Sequence, residues 1–285
     1  MTSPRLPVAP PAPATGTPVV IPGKVSMVMP SYRQMEFLEE AVRSVLDQDG
    51  VDVELLVMDP GSDDGSRELL LKLREEYGER LVLWLEPDDG QSDAVNRGMA
   101  RARGRVLGWL NSDDRLRPGV LARVVPLLDR AEPAWLCGMT GMIDARSARS
   151  MNLLAWYKNW QTRRFSRFKL LLENFVPQQS TFWNRSMWEQ AGTLDVHRHL
   201  DMDYDLWLRF ARVARPIVLT EELADMRVHV AAKGTLQPRE QLADAGATAR
   251  AYAAEYGLAG RLAMLLRPLF SLRTMAYYLL TKPRR

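Results

Sequence analysis

The chain has 285 residues, of which 46% are apolar and 26% charged, as in a globular protein with one large domain or one domain with an appendage. The formal net charge of +3 excludes a protein that binds nucleic acid through its overall charge. The single cysteine, Cys137, excludes an internal disulfide and Cys-based zinc sites, and it favours a reducing, cytoplasmic setting.

The N-terminal residues have the composition of a chain that does not fold. Residues 1–24 hold 7 of the 18 prolines and no acidic residue. Proline lacks the amide hydrogen that helices and sheets require, so residues 1–23 are predicted to be a disordered, proline-rich tail. No apolar run follows a basic start, which argues against a signal peptide. The sequence also contains no uninterrupted run of 18 apolar residues, so no membrane span is predicted.

After this tail, strand and helix patterns alternate along the chain. Strands are predicted at 25–30, 53–59, 81–85 and 106–110, and helices at 35–48, 64–77, 91–103 and 118–129. Four strand–helix units in a row predict an α/β fold with a Rossmann-like, mostly parallel sheet and helices on both faces.

Polar and acidic residues follow the end of each predicted strand, whereas the strands themselves are apolar. The four segments are P-S-Y at 30–32, D-P-G-S-D-D-G at 59–65, E-P-D-D-G-Q at 86–91 and N-S-D-D at 111–114. Open α/β sheets bind ligands beside the carboxyl ends of their strands. This edge is therefore the predicted ligand site.

Neither of the common phosphate-binding loops is present. No G-x-G-x-x-G turn follows the first strand, and G-x-x-x-x-G-K-[ST] occurs nowhere. The phosphates of a bound nucleotide would need another counter-charge, which a carboxylate-held Mg²⁺ or Mn²⁺ would supply. Asp113 is the predicted metal ligand. Its neighbour Asp114 either shares the metal or caps the following turn.

Five motifs, taken in order, resemble family 2 inverting glycosyltransferases of GT-A fold. They are V-S-M-V-M-P-S-Y at 25–32, V-M-D-P-G-S-D-D-G-S at 57–66, E-P-D-D-G-Q-S-D-A-V-N-R-G at 86–98, G-W-L-N-S-D-D at 108–114 and D-M-D-Y-D-L-W-L-R at 201–209. The resemblance covers residues 24–235 and implies one GT-A domain. Its halves are 24–115 for the nucleotide sugar and 116–235 for acceptor and catalysis.

The resemblance also implies roles for individual residues. Asp59 would contact the nucleotide base, and Asn111-Ser112-Asp113 would replace the D-x-D motif, with the uncharged Asn111 on the ribose. Asp203 would be the catalytic base, although Met202 stands where the family has glutamate. Asp201 and Asp205 are rival carboxylates, and His229 would lie near the diphosphate or complete the metal shell.

Other candidates come from their place beside these motifs. The candidate donor contacts are Pro30, Ser31, Tyr32, Gln91, Asp93, Asn96 and Ser112, and the candidate acceptor or diphosphate contacts are Gln178, Gln179, Arg227 and Lys233. Each has a structural alternative. Ser92, Asp93 and Asn96 would then cap or line the third helix, and Gln178 and Gln179 would start a strand.

Two segments carry aromatic or basic residues typical of interfaces. Residues 151–175 predict either a helical pair packed on the sheet or an acceptor-side flap. Residues 236–285 predict a helical, basic amphipathic C-terminal extension, since 261–285 hold six Lys or Arg and no acid. Pro268 is expected to split it into two helices. The extension either packs on the domain or lies on an anionic membrane surface.

Together these features predict a metal-dependent inverting transfer from a nucleotide-diphosphate sugar to the hydroxyl of a saccharide or lipid-linked saccharide. The expected setting is envelope polysaccharide or lipid-linked glycan synthesis. The expected location is cytoplasmic, peripheral on the inner face of the cell membrane. Two alternatives are a sugar nucleotidyltransferase, which would release pyrophosphate, and a non-catalytic carbohydrate-binding or scaffold protein of the same fold.

Overall fold

A computed structural model describes residues 18–150, 153–229 and 237–281. The first half consists of β1 (Ile21–Pro30), α1 (Met35–Leu46), β2 (Asp52–Met58), α2 (Ser66–Tyr77), β3 (Leu81–Trp84), α3 (Gln91–Arg101) and β4 (Gly104–Trp109). The predicted alternation is confirmed. However, β1 begins inside the predicted tail, because the amide of Ile21 donates to the carbonyl of Arg103 and so extends the pairing with β4.

The second half continues through shorter elements. They are β5 (Arg115–Leu116), α4 (Val120–Leu128), β6 (Trp135–Ile143), α5 (Leu153–Arg163), α6 (Arg167–Leu172), β7 (Thr181–Asn184), α7 (Arg185–Ala191), α8 (Met202–Val213), β8 (Ile217–Arg227), α9 (Pro238–Ala253) and α10 (Gly257–Thr281). Residues Gln178–Ser180 form a turn of 3₁₀ helix, so the strand expected there begins only at Thr181.

The described strands form one sheet in the order β3-β2-β1-β4-β7-β6-β8-β5. The strands from β3 to β4 are parallel, and the carboxyl ends of β1, β2 and β3 meet because Pro30 pairs with Met58 and Met58 with Trp84. β7 is antiparallel to both β4 and β6, and β8 is parallel to β6. The prediction of a mostly parallel sheet is confirmed, and its polar strand ends share one edge.

Apolar side chains cover both faces of this sheet. Leu38, Val42 and Leu121 belong to the core under α1, α2 and α4. The opposite core holds stacked and edge-packed tryptophans, and the rings of Trp183 and Trp207 have centroids 5.9 Å apart. This contact fixes α8 on the sheet and therefore sets where its first turn lies.

The C-terminal helices belong to the same core rather than forming a separate extension. Ala249 of α9 and Ala263 of α10 are fully buried in it. The expectation that Pro268 splits the segment is wrong, since α10 runs unbroken from Gly257 to Thr281. Pro268 is exposed, so water can reach the carbonyl that a proline leaves without a donor. No helix in the described ranges is long and apolar enough to cross a membrane.

Candidate active site

A cavity of about 1360 Å³ opens at the carboxyl edge of the sheet. Its walls come from the segments after β1 and β4, the first turn of α8, the end of β8 and one face of α9 and α10. Pockets for small molecules commonly measure about 300–1,000 Å³, so this one has room for two ligands side by side. The site predicted from the strand ends therefore exists as a real concavity.

Asp113 and His229 meet on the wall of this cavity. Asp113 follows β4 and His229 follows β8, and the Nε2 atom of His229 lies 3.0 Å from Oδ2 of Asp113. The ring of Phe37 packs against the imidazole with centroids 4.9 Å apart and holds its orientation. The structure thus brings together the two side chains named as candidate metal ligands.

A carboxylate and an imidazole side by side suit a divalent cation whose remaining ligands are diphosphate oxygens and water. Within the described ranges, no group of three or more His, Cys, Asp or Glu side chains could hold a metal ion by itself. The donor set is therefore incomplete without a ligand, as for a metal that is bound together with a phosphorylated substrate.

The Asp114 side chain contacts the end of β8, which is a different structural role from the cap of the following turn that is its alternative. Its Oδ1 atom accepts the backbone amide of Arg227 at 2.9 Å, and the residue is buried. Burial raises the pKa of Asp114 well above its usual range, and the neighbouring charge of Asp113 adds to this. Asp113 is the more accessible of the two carboxylates, with 20% of its side chain exposed, so it is better placed to contact a ligand.

The side chain of Arg227, which lines the cavity and is an expected diphosphate contact, is held by neighbouring protein groups. Its Nε donates to the carbonyl of Asp113 at 2.8 Å, and Nη2 pairs with Glu40 at 2.6 Å. Nη1 donates to Asp144 and Ser147. The guanidinium is thus engaged on every nitrogen and clamps the turn that carries Asp113. Lys233 lies outside the described residues.

The side chain of Asn111 is held by a small amide network. Its Oδ1 accepts Nε2 of Gln91 at 2.8 Å and Nε1 of Trp109 at 2.9 Å. Gln178 approaches Nδ2 of Asn111 at 3.4 Å and donates to the carbonyl of Trp109 at 2.6 Å. Gln178 therefore lies on the Asn111 side of the cavity instead of the acceptor side. Gln179 is buried in the same wall.

Asp59 combines a structural contact with an unused oxygen. Its Oδ1 accepts the amides of Gly61 and Ser62 at 2.9 and 2.8 Å, which stabilises the turn after β2. Among the residues that the structure describes, its buried Oδ2 atom has no hydrogen-bond partner, and the same holds for Oγ of Ser31. Ser31 lines the cavity with Pro30 and Tyr32, so two unsatisfied acceptors lie in or just behind its wall.

Asp93 and Asn96 on α3, two predicted donor contacts, each form polar contacts within the protein. Asp93 pairs with Arg97 at 2.8 Å and accepts the amide of Asp89. Both ends of the Asn96 amide bond the backbone of Leu194, each at 2.8 Å. Neither side chain lines the cavity, because these faces of α3 pack on neighbouring loops. Gln91, at the start of the helix, does line it.

Asp203 lies in the first turn of α8 and lines the cavity. Its two oxygens accept the amide of Tyr204 at 2.7 Å and the side-chain amide of Asn174 at 3.2 Å. Burial raises the pKa of the Asp203 carboxyl, and these hydrogen bonds only partly oppose this. Asp203 is therefore a desolvated carboxylate with neutral partners, which is the environment expected of a proton acceptor.

The two rival carboxylates are neutralised by cations. Asp201 pairs with Arg198 at 3.0 Å, and Asp205 pairs with Arg209 at 2.9 Å. The hydroxyl groups of Thr248 and Tyr252 on α9 also donate hydrogen bonds to Asp201 and Asp205 respectively. Their oxygens are used to anchor α8, which leaves Asp203 as the carboxylate available to a ligand.

Several cavity residues were not named as site residues from the sequence, among them Lys158, Glu173, Asn174 and Arg267. Asn174 and Glu173 precede the Gln178-Gln179 pair by only a few residues, and that polar run was the signal that could have found them. Arg267 lies in a leucine-rich helical pattern that gave no sign of an inward-facing cation.

The expected GT-A type fold is confirmed by solved glycosyltransferase structures. Mannosyltransferase PcManGT from Pyrobaculum calidifontis, solved with GDP-Man and Mn²⁺, matches with a TM-score of 0.63 and 17% identity over 90% of this chain and 77% of that chain. S. aureus TarS 1–349, solved with UDP-GlcNAc, matches with a TM-score of 0.60 and 13% identity over 81% of this chain and 66% of that chain.

Curated relatives are glycosyltransferases as well. An uncharacterized glycosyltransferase of Rickettsia typhi is 27% identical over 72% of this chain and 64% of its own length. A PGL/p-HBAD biosynthesis glycosyltransferase of Mycobacterium bovis is 28% identical over 65% of this chain and 68% of its own. The putative teichuronic acid biosynthesis glycosyltransferase TuaG of Bacillus subtilis is 37% identical over 35% of this chain and 39% of its own.

A family model confirms the resemblance seen in the motifs. The model of glycosyl transferase family 2 matches residues 26–189, which is more than half of the chain. The match includes β1 to β4 and the turn that carries Asp113, and the aligned chain spans about 64% of the Rickettsia relative. The chain therefore belongs to glycosyl transferase family 2.

Proposed function

We propose that the protein transfers a sugar from a nucleotide-diphosphate sugar to an acceptor hydroxyl, with inversion and with a divalent metal. The observation that carries this proposal is the arrangement of one cavity. The Asp113–His229 pair lies on its sheet side, and the desolvated Asp203 carboxylate lies on its α8 side. A single displacement requires stabilisation of the charge on the leaving group and a base that accepts the proton of the attacking hydroxyl.

The donor would lie along the segments after β1, β2 and β4. The unpartnered Oδ2 of Asp59 and Oγ of Ser31 can each accept a hydrogen bond from a nucleoside. The amide network around Asn111 presents a fixed polar surface for the ribose. UDP-GlcNAc and GDP-Man occupy two similar structures and support a nucleotide sugar of this general type.

Asp113 and His229 would hold Mn²⁺ or Mg²⁺ with diphosphate oxygens in the remaining positions. When bound, the metal supplies positive charge that stabilises the departing nucleoside diphosphate. The clamp of Arg227 on the backbone of Asp113 fixes the carboxylate relative to His229. The Mn²⁺ in the P. calidifontis structure supports the choice of metal.

Asp203 would remove the proton of the acceptor hydroxyl as that oxygen attacks the anomeric carbon. The raised pKa of Asp203, which burial causes, makes it a stronger base than an exposed aspartate. Inversion follows because the attack comes from the face opposite the diphosphate, and it requires no enzyme nucleophile. Asn174 holds the carboxylate in place through Oδ2.

We further propose the wider setting predicted from the sequence. In this proposal, residues 24–115 bind the donor, residues 116–235 bind the acceptor and 236–285 form a C-terminal extension that packs on the domain. The acceptor is a saccharide or lipid-linked saccharide of envelope polysaccharide or lipid-linked glycan synthesis. The names of the Bacillus and Mycobacterium relatives support such a pathway.

Peripheral attachment to the inner face of an anionic membrane completes this proposal. One face of α10 exposes five leucines to solvent: Leu258, Leu262, Leu265, Leu269 and Leu272. Trp156 and Trp160 of α5 are exposed as well, and no acidic residue occurs between 257 and 285. Apolar helix faces with interfacial tryptophan and no negative charge are suited to lipid headgroup regions.

Calorimetry with a panel of nucleotide sugars, with and without Mn²⁺, tests the proposal. We expect saturable binding of one sugar nucleotide that requires Mn²⁺, and its slow hydrolysis to the nucleoside diphosphate. Asp113→Ala should abolish the metal-dependent part of binding. Asp93→Ala is the matched control and should bind normally, because its carboxylate faces Arg97. Pyrophosphate release from a nucleoside triphosphate and a sugar phosphate would establish a nucleotidyltransferase instead.

A further inference from the structure

Arg267 is a buried cation without a matching anion. Only 5% of the residue is exposed, and it lines the active-site cavity from α10. Nη1 donates to the carbonyl of Leu171 at 2.6 Å and to the hydroxyl of Tyr204 at 3.0 Å, whereas Nε is buried without a partner. Burial raises the pKa of Tyr204 to about 12, so this partner is neutral. A buried guanidinium paired only with neutral groups is costly unless a ligand supplies the negative charge.

Lys158 of α5 is a second unmatched cation on the same cavity wall. No ion pair or hydrogen bond of its ammonium group is found among the residues that the structure describes. Burial raises the pKa of Asp203, and the charge of Lys158 opposes that rise. Lys158 is thus close enough to Asp203 to influence it, while Arg267 contacts the adjacent Tyr204. Both cations are therefore associated with the first turn of α8.

The carboxylates that could neutralise these cations are already committed elsewhere. Glu173 pairs with Arg273 at 2.5 Å, Asp201 with Arg198, and Asp205 with Arg209. Asp203 lies in the same turn as Tyr204, and its two oxygens accept hydrogen bonds from neutral groups. The described carboxylates therefore form no ion pair with Arg267 or Lys158.

We propose that Arg267 and Lys158 form a subsite for a phosphoryl group carried by the acceptor. The anion subsite stands on its own contacts, and only its assignment to the acceptor rests on the proposed transferase function. A guanidinium and an ammonium that line one cavity from two helices offer positive charge and hydrogen-bond donors to the several oxygens of a phosphate. Anchoring that group beside Tyr204 places the rest of the acceptor within reach of Asp203.

The surroundings of this subsite favour a phosphate attached to an apolar chain. Phe270 and Met275 of α10 line the same end of the cavity, and the outer face of that helix carries the exposed leucines. A phosphate on a lipid and a phosphate on a soluble saccharide share the recognised group, so the test includes a probe for each.

Binding of inorganic phosphate, measured by calorimetry in EDTA, tests the subsite without donor or metal. We expect saturable binding to the full chain that Lys158→Gln weakens roughly tenfold, the loss of one charge-assisted contact. Arg267→Gln should abolish it. Asp113→Ala should bind phosphate as the unaltered protein does, because Asp113 lies on the donor side.

Arg267 also bonds α6 and Tyr204, so Arg267→Gln can fail to fold. In that case Lys158→Gln tests the subsite, because the Lys158 side chain is only half-buried and its replacement should leave the fold intact. Absence of saturable binding, or equal binding by Lys158→Gln, would overturn the subsite. Loss of binding in Asp113→Ala would overturn it too, since phosphate would then occupy the donor site.

Octyl phosphate, used below its micelle concentration, is compared with inorganic phosphate in the same titration. Tighter binding of octyl phosphate identifies a lipid-borne phosphate, and equal binding identifies a soluble one; both support the subsite. Failure to hydrolyse any nucleotide sugar would refute the transferase proposal while leaving a positive phosphate titration unaffected, so the two failures are distinguishable.

Discussion

Three carboxylates lie within five residues at the start of α8, yet their environments differ. Asp201 and Asp205 each contact an arginine, and both hold α9 against α8. Asp203 contacts only neutral amides and lines the cavity. Burial disfavours the ionised form of Asp203, the charge of Lys158 only partly offsets this, and groups with such pKa shifts concentrate at functional sites.

Asp203→Asn is predicted to lower the rate of sugar transfer by about 10²–10⁴-fold, the usual contribution of a general base. The thermal stability of Asp203→Asn should not fall with the rate. Since the folded-state pKa of Asp203 is raised, the protonated form stabilises the fold at low pH, and this contribution is lost as pH rises through the raised value. At neutral pH the variant should therefore melt at the same temperature or higher.

Initial rates and thermal melts at pH 7.5 check both halves of this prediction, with Asp205→Asn as the comparison. That control removes an ion pair with Arg209 and should melt at a lower temperature. Near-normal turnover by Asp203→Asn would show that another group is the base.

The rate of transfer should fall as pH drops through the pKa of Asp203, with a midpoint above the ordinary aspartate value of about 3.9. Asn174 donates to the ionised carboxylate and so opposes the rise that burial causes. Asn174→Ala should therefore shift the acid limb of the kcat profile to higher pH. An unchanged or opposite shift would contradict the role given to Asn174.

At the scale of elements, α10 carries two different faces. Ala263 and Arg267 face inward and are buried, whereas leucines at three- and four-residue spacing face solvent. The cations expected on this helix do not form one basic face, since Arg267 points into the fold and Arg273 pairs with Glu173. The membrane proposal accordingly rests more on the apolar face than on the charge of the described residues.

Replacing both Leu265 and Leu269 by serine is predicted to weaken binding to phosphatidylglycerol vesicles at least tenfold. Full burial of each exposed leucine in the membrane would stabilise the bound state by about 1.5–3 kcal/mol. Co-sedimentation with the vesicles measures this, and Val19→Ser is the control because Val19 is equally exposed but lies before β1. Vesicle binding equal to that of the unaltered protein would refute a membrane role for this face.

At the scale of the molecule, the C-terminal helices complete both the core and the cavity. Ala249 and Ala263 are buried in the core that contains Trp207, and Phe270 and Arg267 line the cavity. The cavity therefore needs elements from the first strand to the last helix. The extension predicted from the sequence is an integral layer of the domain in the described residues.

A chain ending at Gly260 is predicted to be markedly less stable than one ending at Thr281. The shorter chain loses Ala263 from the core and the bonds of Arg267 to Leu171 and Tyr204. Loss of a buried apolar group and of buried hydrogen bonds each costs on the order of 1–3 kcal/mol. Urea unfolding of the two chains measures the difference, and equal midpoints would contradict the packing described.

The sequence by itself determined the four strand–helix units and the edge at which the site lies. These follow from local periodicity and from the rule that parallel strands end together, so motifs such as N-S-D-D predicted their position without knowledge of distant contacts. The sequence also determined the family, because the order and spacing of the five motifs can be read along the chain without the structure.

Only the tertiary structure decided which polar side chains are free to bind. Asp113 meets His229 across 116 positions, and Asp203 differs from Asp201 only by the partners that fold against it. Asn96 is another such case, because its side-chain amide is hydrogen-bonded to the backbone of Leu194. Arg267 is a third, because no helical pattern in the sequence indicates that it is buried. Hydrogen-bond pairing and burial arise from residues far apart in the chain, so local spacing cannot specify them.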